Sequence, residues 1–147
     1  MDRKAKAQWK GDLRSGVGTI SSASGVLSNT PYSFRDRFEQ GNGTNPEELL
    51  AAAHAACFSM ALSAELAKQH LKADSIETTC TITLDRDGDG FAIKRSHLEL
   101  TAKVPGASED AFNRATQAAK EGCPVSKLYD TEIALDARLE QSAASSA

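Results

Sequence analysis

The sequence predicts an α+β domain: mostly antiparallel sheets around one long, buried central helix. Two observations carry this expectation. Residues 44–70, TNPEELLAAAHAACFSMALSAELAKQH, carry one continuous helix signal. Around it, segments with a period of two are punctuated by Gly and Pro, in the order strands, helix, two strands, helix, strand.

Taken in order, residues 5–20 read as two short strands around a Gly-Asp turn, with Gly16, Gly18 and Gly25 marking turns and bulges. Residues 31–40, PYSFRDRFEQ, alternate Tyr32, Phe34, Asp36 and Phe38 against Ser33, Arg35, Arg37 and Glu39. That period predicts a third strand, aromatic on one face and charged on the other. GNGTNP breaks it and starts the long helix. Asn45 suits the N-cap, Pro46 the first helical position, and Glu48 the third residue of a capping box. From Leu49 to Leu62 nearly every residue is apolar or small, which predicts a helix buried on nearly all sides.

Residues 75–86 and 91–104 then read as a hairpin across a DGDG turn. The turn resembles part of a calcium loop, but no full loop pattern follows. Ser108 caps a second helix ending at Gly122, and Pro124 opens a short one through Tyr129. A last strand is expected at 131–139. Residues 1–140 make a single domain and 141–147 a disordered polar tail.

Composition excludes several functions. A net charge of −3 with scattered Lys and Arg argues against nucleic acid. MDRKAKAQWKGD holds no apolar run, so no signal peptide is expected. The apolar stretch of the long helix is broken by His54 and ends in Glu65 and Lys68, so no membrane span is expected either. Cys57, Cys80 and Cys123 lack the paired spacing of zinc ligands, and an export-free chain is a poor candidate for a disulfide scaffold. The expected compartment is the reducing cytoplasm.

The chemistry then falls on the cysteines. Cys57 reads either as a packed core thiol or as a nucleophile. It lies twelve residues past Asn45, about 18 Å along the axis, too far for the helix dipole to activate it. A reactive Cys57 therefore needs a cation from elsewhere, and Arg37, oriented by Glu47, is the candidate. Either residue could equally be a solvated or dipole-favoured charge. Glu47 and Cys57 are ten residues apart, about 15 Å, which suggests that the Arg37–Glu47 pair and Cys57 meet across a subunit interface. His54 reads as a neutral, hydrogen-bonded core histidine. Cys123, between Gly122 and Pro124, sits at a helix start that lowers a thiol pKa. Cys80, in a Thr-rich strand, reads as structural.

The segments PYSFRDRFE, GTNPEELLAAAHAACFSMALS and GCPVSK resemble the OsmC/Ohr family, and the OsmC branch in particular. The resemblance covers nearly the whole chain. It implies an OsmC-like fold in an intertwined homodimer with sites at the interface. It also implies that Cys57 is the peroxidatic cysteine, Cys123 the resolving cysteine, and Arg37 and Glu47 the activating pair. The implied activity is reduction of organic hydroperoxides, and of hydrogen peroxide, through a Cys57 sulfenic acid and a Cys57–Cys123 disulfide. The resemblance further implies an external dithiol, of lipoyl type, that would reset the enzyme. No metal, flavin or haem is called for. Phe34, Phe38, Phe58 and Met60 could line an alkyl pocket, with core packing the simpler role for the last two. Two rival readings remain at this point: a non-enzymatic stress-induced dimer that binds small apolar molecules, and a thiol redox sensor.

Overall fold

The computed structural model describes residues 1–128. The expected strand at 131–139, the tail and the domain boundary at 140 lie outside them, as does Tyr129.

The chain opens with three antiparallel strands in sequential order: β1 (Ala5–Lys10), β2 (Val17–Ser22) and β3 (Thr30–Tyr32). The Gly11-Asp12 turn between β1 and β2 falls where expected, Gly11 taking φ +99°. Trp9 and Tyr32 lean together over Gly18 with ring centroids 5.4 Å apart; any Cβ there would collide with both rings.

Of the 31–40 segment only Pro31 and Tyr32 are strand. After β3 it folds into a one-turn helix, α1 (Phe34–Phe38). Ser33 caps it: its Oγ accepts from Asp36 N at 3.2 Å and donates to Asp36 Oδ2 at 2.9 Å. Phe34 and Phe38 are two alternation steps apart, but they are also four residues apart, so one face of a helix holds both. Their centroids lie 4.7 Å apart, and Phe38 goes on to meet Phe91 at 5.1 Å. The helix separates the two arginines that a strand would have kept on one face. Arg35 Nε donates to Gln40 O, while Arg37 turns to the long helix.

That helix, α2 (Pro46–Lys68), begins as the sequence predicts. Asn45 Oδ1 accepts from Glu48 N at 2.8 Å. The capping box is half formed, since the Glu48 carboxylate accepts from Thr44 Oγ1. Asp36 fixes the approach to the helix: its carbonyl accepts from Asn45 Nδ2, and its carboxylate from Gly43 N.

The rest of the described chain packs on one side of α2. β4 (Ser75–Asp87) and β5 (Gly90–Lys103) form a long hairpin around a two-residue turn. Gly88 takes φ +61° at its first central position, as a type II′ turn requires. α3 (Glu109–Gly122), capped by Ser108, and α4 (Pro124–Lys127) complete the described chain. Phe58, Leu62 and Leu66 of α2 meet Ala115 and Ala119 of α3, with Ile76, Leu98 and Leu100 of the hairpin packed around them.

The expectation of a helix buried all round is corrected. Within one chain α2 buries a stripe, Glu47, His54, Phe58, Leu62 and Leu66, while Ala52, Ala53, Ala56 and Met60 are exposed, Met60 at 77%. The run of small residues leaves no amphipathic pattern, so the sequence gives no sign of which face the hairpin and α3 will cover. By length and composition α2 could cross a membrane, yet its buried stripe serves as the core of this domain.

Candidate active site

The four residues singled out from the sequence form two pairs. The first is ionic. Arg37 donates from Nη2 to Glu47 Oε1 at 2.8 Å and from Nε to Oε1 and Oε2 at 3.1 and 3.3 Å. Both residues owe their places to caps. Ser33 starts the turn that aims Arg37, and Asn45 starts the helix whose second residue is Glu47. The Glu47 side chain is 11% exposed and that of Arg37 39%. Arg37 Nη1 makes no hydrogen bond among the described residues, so donors remain beyond those spent on Glu47. The guanidinium also lies 5.3 Å from the Phe38 ring centroid.

Beside this pair opens an apolar pocket of about 250 Å³, lined by Trp9, Leu13, Tyr32, Phe34, Phe38 and Pro46 with Arg37 at its edge. Of the residues expected to line an alkyl pocket, Phe34 and Phe38 do so. Phe58 is in the core at 3% exposure, and Met60 is on the exposed face of α2 rather than packed.

The second pair is thiol. Cys57, halfway along α2, and Cys123, the residue before α4, are neighbours, both as free thiols. Their pKa values move apart. Burial pushes the Cys57 thiol up, and the hydrogen bond to Cys123 pushes it further. Burial also opposes ionisation of Cys123, but it is outweighed by the hydrogen bond from Cys57, the backbone amides of Ser126 and Val125, and the Ser126 hydroxyl. Cys123 is therefore drawn below the ordinary thiol value, in the direction expected for a helix start. Nothing in its own helix, α2, draws the Cys57 thiol down. The described contacts of one chain do not bring Arg37 or Glu47 to Cys57.

Sequence reasoning left the surroundings of His54 unseen. His54 is 5% exposed. Its Nδ1 lies 2.6 Å from Ser96 Oγ on β5, and its Nε2 lies 2.9 Å from Ser126 Oγ on α4. Desolvation lowers its pKa, so it is a neutral core histidine as expected. Cys80 on β4 joins the cluster, with Sγ 3.3 Å from Ser96 Oγ and 4.0 Å from His54 Nδ1. Ser126 had a visible signal, standing three residues after Cys123 in GCPVSK; Ser96 had none.

Among the described residues no cluster of His, Cys, Asp and Glu is arranged to hold a metal ion. What the arrangement offers is sulfur chemistry: two neighbouring thiols, a fixed guanidinium with spare donors, and an apolar pocket beside it.

Known proteins resemble this chain. Residues 39–138 match the family model described as OsmC, OsmC-like protein. The chain is 49% identical over 138 residues to peroxiredoxin OsmC of Escherichia coli, covering 94% of this chain and 96% of that one. It is 34% identical over 125 residues to the organic hydroperoxide resistance protein OhrB of Bacillus subtilis, covering 84% and 88%. The crystal structure of that OhrB superposes with a TM-score of 0.61 at 30% identity, over 85% of this chain and 89% of that one. An OsmC-like protein of Vibrio cholerae shares the fold with a TM-score of 0.70 at 19% identity, over 90% and 96%. The family match spans more than half of the chain, and the E. coli relative aligns along nearly all of it: this protein belongs to the OsmC family.

Proposed function

We propose that this protein is a thiol-dependent peroxidase that reduces organic hydroperoxides to alcohols, and hydrogen peroxide to water, in oxidative and osmotic stress defence. The peroxidase class follows from kinship with peroxiredoxin OsmC along nearly the whole chain. The observation that supports the residue roles is that Cys57 and Cys123 are neighbours.

In this reading Cys57 is the attacking thiolate. It takes the distal oxygen of the hydroperoxide as the O–O bond breaks; the alkoxide leaves and picks up a proton to become the alcohol. Cys57 is then a sulfenic acid. The Cys123 thiolate attacks the Cys57 sulfur, hydroxide leaves and is protonated to water, and a disulfide joins the two. An external dithiol of lipoyl type reduces that disulfide by exchange and leaves as its own disulfide. The four groups of the reaction are thus Cys57, Cys123, Arg37 and Glu47, with no metal or organic cofactor. A reducing cytoplasm supplies the dithiol.

Cys57 needs a cation, because burial and Cys123 both oppose its ionisation. Arg37, braced by Glu47, is that cation, and it comes from a second copy of the chain. The support is twofold: the ion pair and the thiol pair are separate within one chain, and α2 exposes Ala52, Ala53, Ala56 and Met60 around Cys57. Two such faces in contact form a homodimer that brings Arg37 and its apolar pocket to the partner's thiols. The pocket then takes the alkyl part of the substrate.

The test is consumption of cumene hydroperoxide with dihydrolipoate as reductant, comparing wild type, Cys57→Ser and Cys123→Ser. Cys57→Ser should lose turnover. Cys123→Ser should accumulate sulfenic or sulfinic acid at Cys57. Full turnover by Cys57→Ser would overturn the reading.

A further inference from the structure

The tip of the β4–β5 hairpin plays no part in the reaction as written so far. Over most of its length the hairpin keeps one register, with Cys80 opposite Leu98, Ile82 opposite Ser96 and Thr83 opposite Arg95. The next pairs are Leu84 with Ile93 and Arg86 with Phe91, so Lys94 is an extra residue without a partner. That is a β-bulge, and it reverses the facing of the β5 residues on the turn side of it. Directly opposed residues share a face of the sheet. The face that carries Ile76, Cys80 and Ile82 of β4 takes Leu100, Leu98 and Ser96 of β5, and its Ile76, Leu98 and Leu100 pack against the core of α2. On the turn side of Lys94 the same face takes Ile93 and Phe91. Without the extra residue both would turn to the opposite face.

What the bulge delivers is a ring. Phe91 is 53% exposed, yet its centroid lies 5.1 Å from that of Phe38 on α1. Phe38 has two further neighbours: the Phe34 ring at 4.7 Å and the Arg37 guanidinium at 5.3 Å. Phe34 and Phe38 line the apolar pocket of about 250 Å³, and Phe91 is not part of that lining. Any influence of Phe91 on the pocket therefore passes through Phe38. Arg37 has its own support, the forked bond to Glu47, which does not depend on the rings.

We propose that Phe91 is a positioning residue that sets the preference for bulky apolar hydroperoxides: it buttresses Phe38 and so fixes the aromatic wall against which the alkyl group of the substrate packs. The proposal rests on the peroxidase reading above and on the pocket taking the alkyl part of the substrate. Two substrates separate the wall from the rest of the site. Cumene hydroperoxide carries an aromatic body that needs the wall. Hydrogen peroxide has no such body and needs only the guanidinium and the thiols. Loss of Phe91 releases Phe38 and leaves the Arg37–Glu47 pair in place, so the two substrates part company.

The experiment measures kcat/KM for cumene hydroperoxide and for hydrogen peroxide, with dihydrolipoate as reductant, on the full-length wild type, Phe91→Ala, Phe91→Tyr and a deletion of Lys94. Phe91→Ala should lose about two- to tenfold in kcat/KM for cumene hydroperoxide, the size of one aromatic pair, and should hold its kcat/KM for hydrogen peroxide. Phe91→Tyr keeps the ring and should restore the wild-type ratio of the two constants. The Lys94 deletion keeps Phe91 in the chain but turns it to the other face, so its ratio should fall as in Phe91→Ala; the exposed Lys94–Asp87 ion pair lost with it, 3.3 Å long, contributes little. A wild-type ratio in Phe91→Ala would overturn the proposal. So would equal losses on both peroxides, or a Phe91→Tyr ratio no better than that of Phe91→Ala. Phe91→Ala trims an exposed side chain and keeps the test sound if the deletion folds poorly. A wild-type protein that consumes neither peroxide would sink the peroxidase reading itself, a result distinct from an unchanged ratio.

Discussion

Arg37 grips Glu47 with two nitrogens, Nη2 at 2.8 Å and Nε at 3.1 Å from the same carboxylate oxygen, and Nε reaches the second oxygen at 3.3 Å. The grip fixes the guanidinium plane and leaves Nη1 for another acceptor. Lysine offers the charge without the fork. Arg37→Lys should therefore fold normally yet lose about tenfold or more in kcat/KM for cumene hydroperoxide, and Glu47→Gln should lose activity in the same direction. Steady-state turnover of purified variants checks this; wild-type kcat/KM in Arg37→Lys would remove Arg37 from the reaction.

The exposed face of α2 predicts the assembly. Ala56 is exposed one residue before Cys57. Ala56→Glu should shift the protein to monomer in sedimentation velocity at micromolar concentration and abolish turnover together with it. A wild-type protein that sediments as a fully active monomer would contradict a site shared between two chains.

His54 predicts a pH dependence of stability. Desolvation depresses its folded-state pKa below the ordinary value of 6.5. Between those two pKa values the unfolded chain binds a proton that the folded chain does not. This contribution is thus fully present above pH 6.5 and is lost as the pH falls below it. Urea midpoints measured from pH 8 down to 5 should fall, and His54→Gln should fall less steeply over the same window.

Two local features carry much of the scaffold. Asn45→Ala removes the α2 cap and the bond to Asp36 O, and should cost about 1–2 kcal/mol. Leu62→Ala empties a site that is 0% exposed between α2 and α3, and should cost about 2–5 kcal/mol. Denaturant unfolding measures both.

What could be read from the sequence was local. Asn45, Pro46 and Ser108 announce their helices because a cap is a signal of three or four adjacent residues. The segment at 31–40 misled because Phe34 and Phe38 satisfy both a period of two and a spacing of four, and five residues are too few to separate them. The Ser33 cap, with Asp36 three residues on, was the deciding sign. Cys57, Cys123, Arg37 and Glu47 were legible as residue types in a familiar order. The pairing of Arg37 with Glu47 followed from charge, and the polarity of the thiol pair did not. The partners of His54 were out of reach, since Ser96 and Ser126 lie 42 and 72 positions along the chain and only the folded hairpin and α4 bring them to the ring.

The central claim is that Cys57 and Cys123 form one redox centre. The most direct measurement is peptide mapping of the protein after one equivalent of cumene hydroperoxide, without reductant. The account predicts a single Cys57–Cys123 disulfide that dihydrolipoate removes, absent from Cys57→Ser and replaced by oxidised Cys57 in Cys123→Ser. Unmodified cysteines after the peroxide has been consumed, or a disulfide involving Cys80 in place of Cys123, would contradict it.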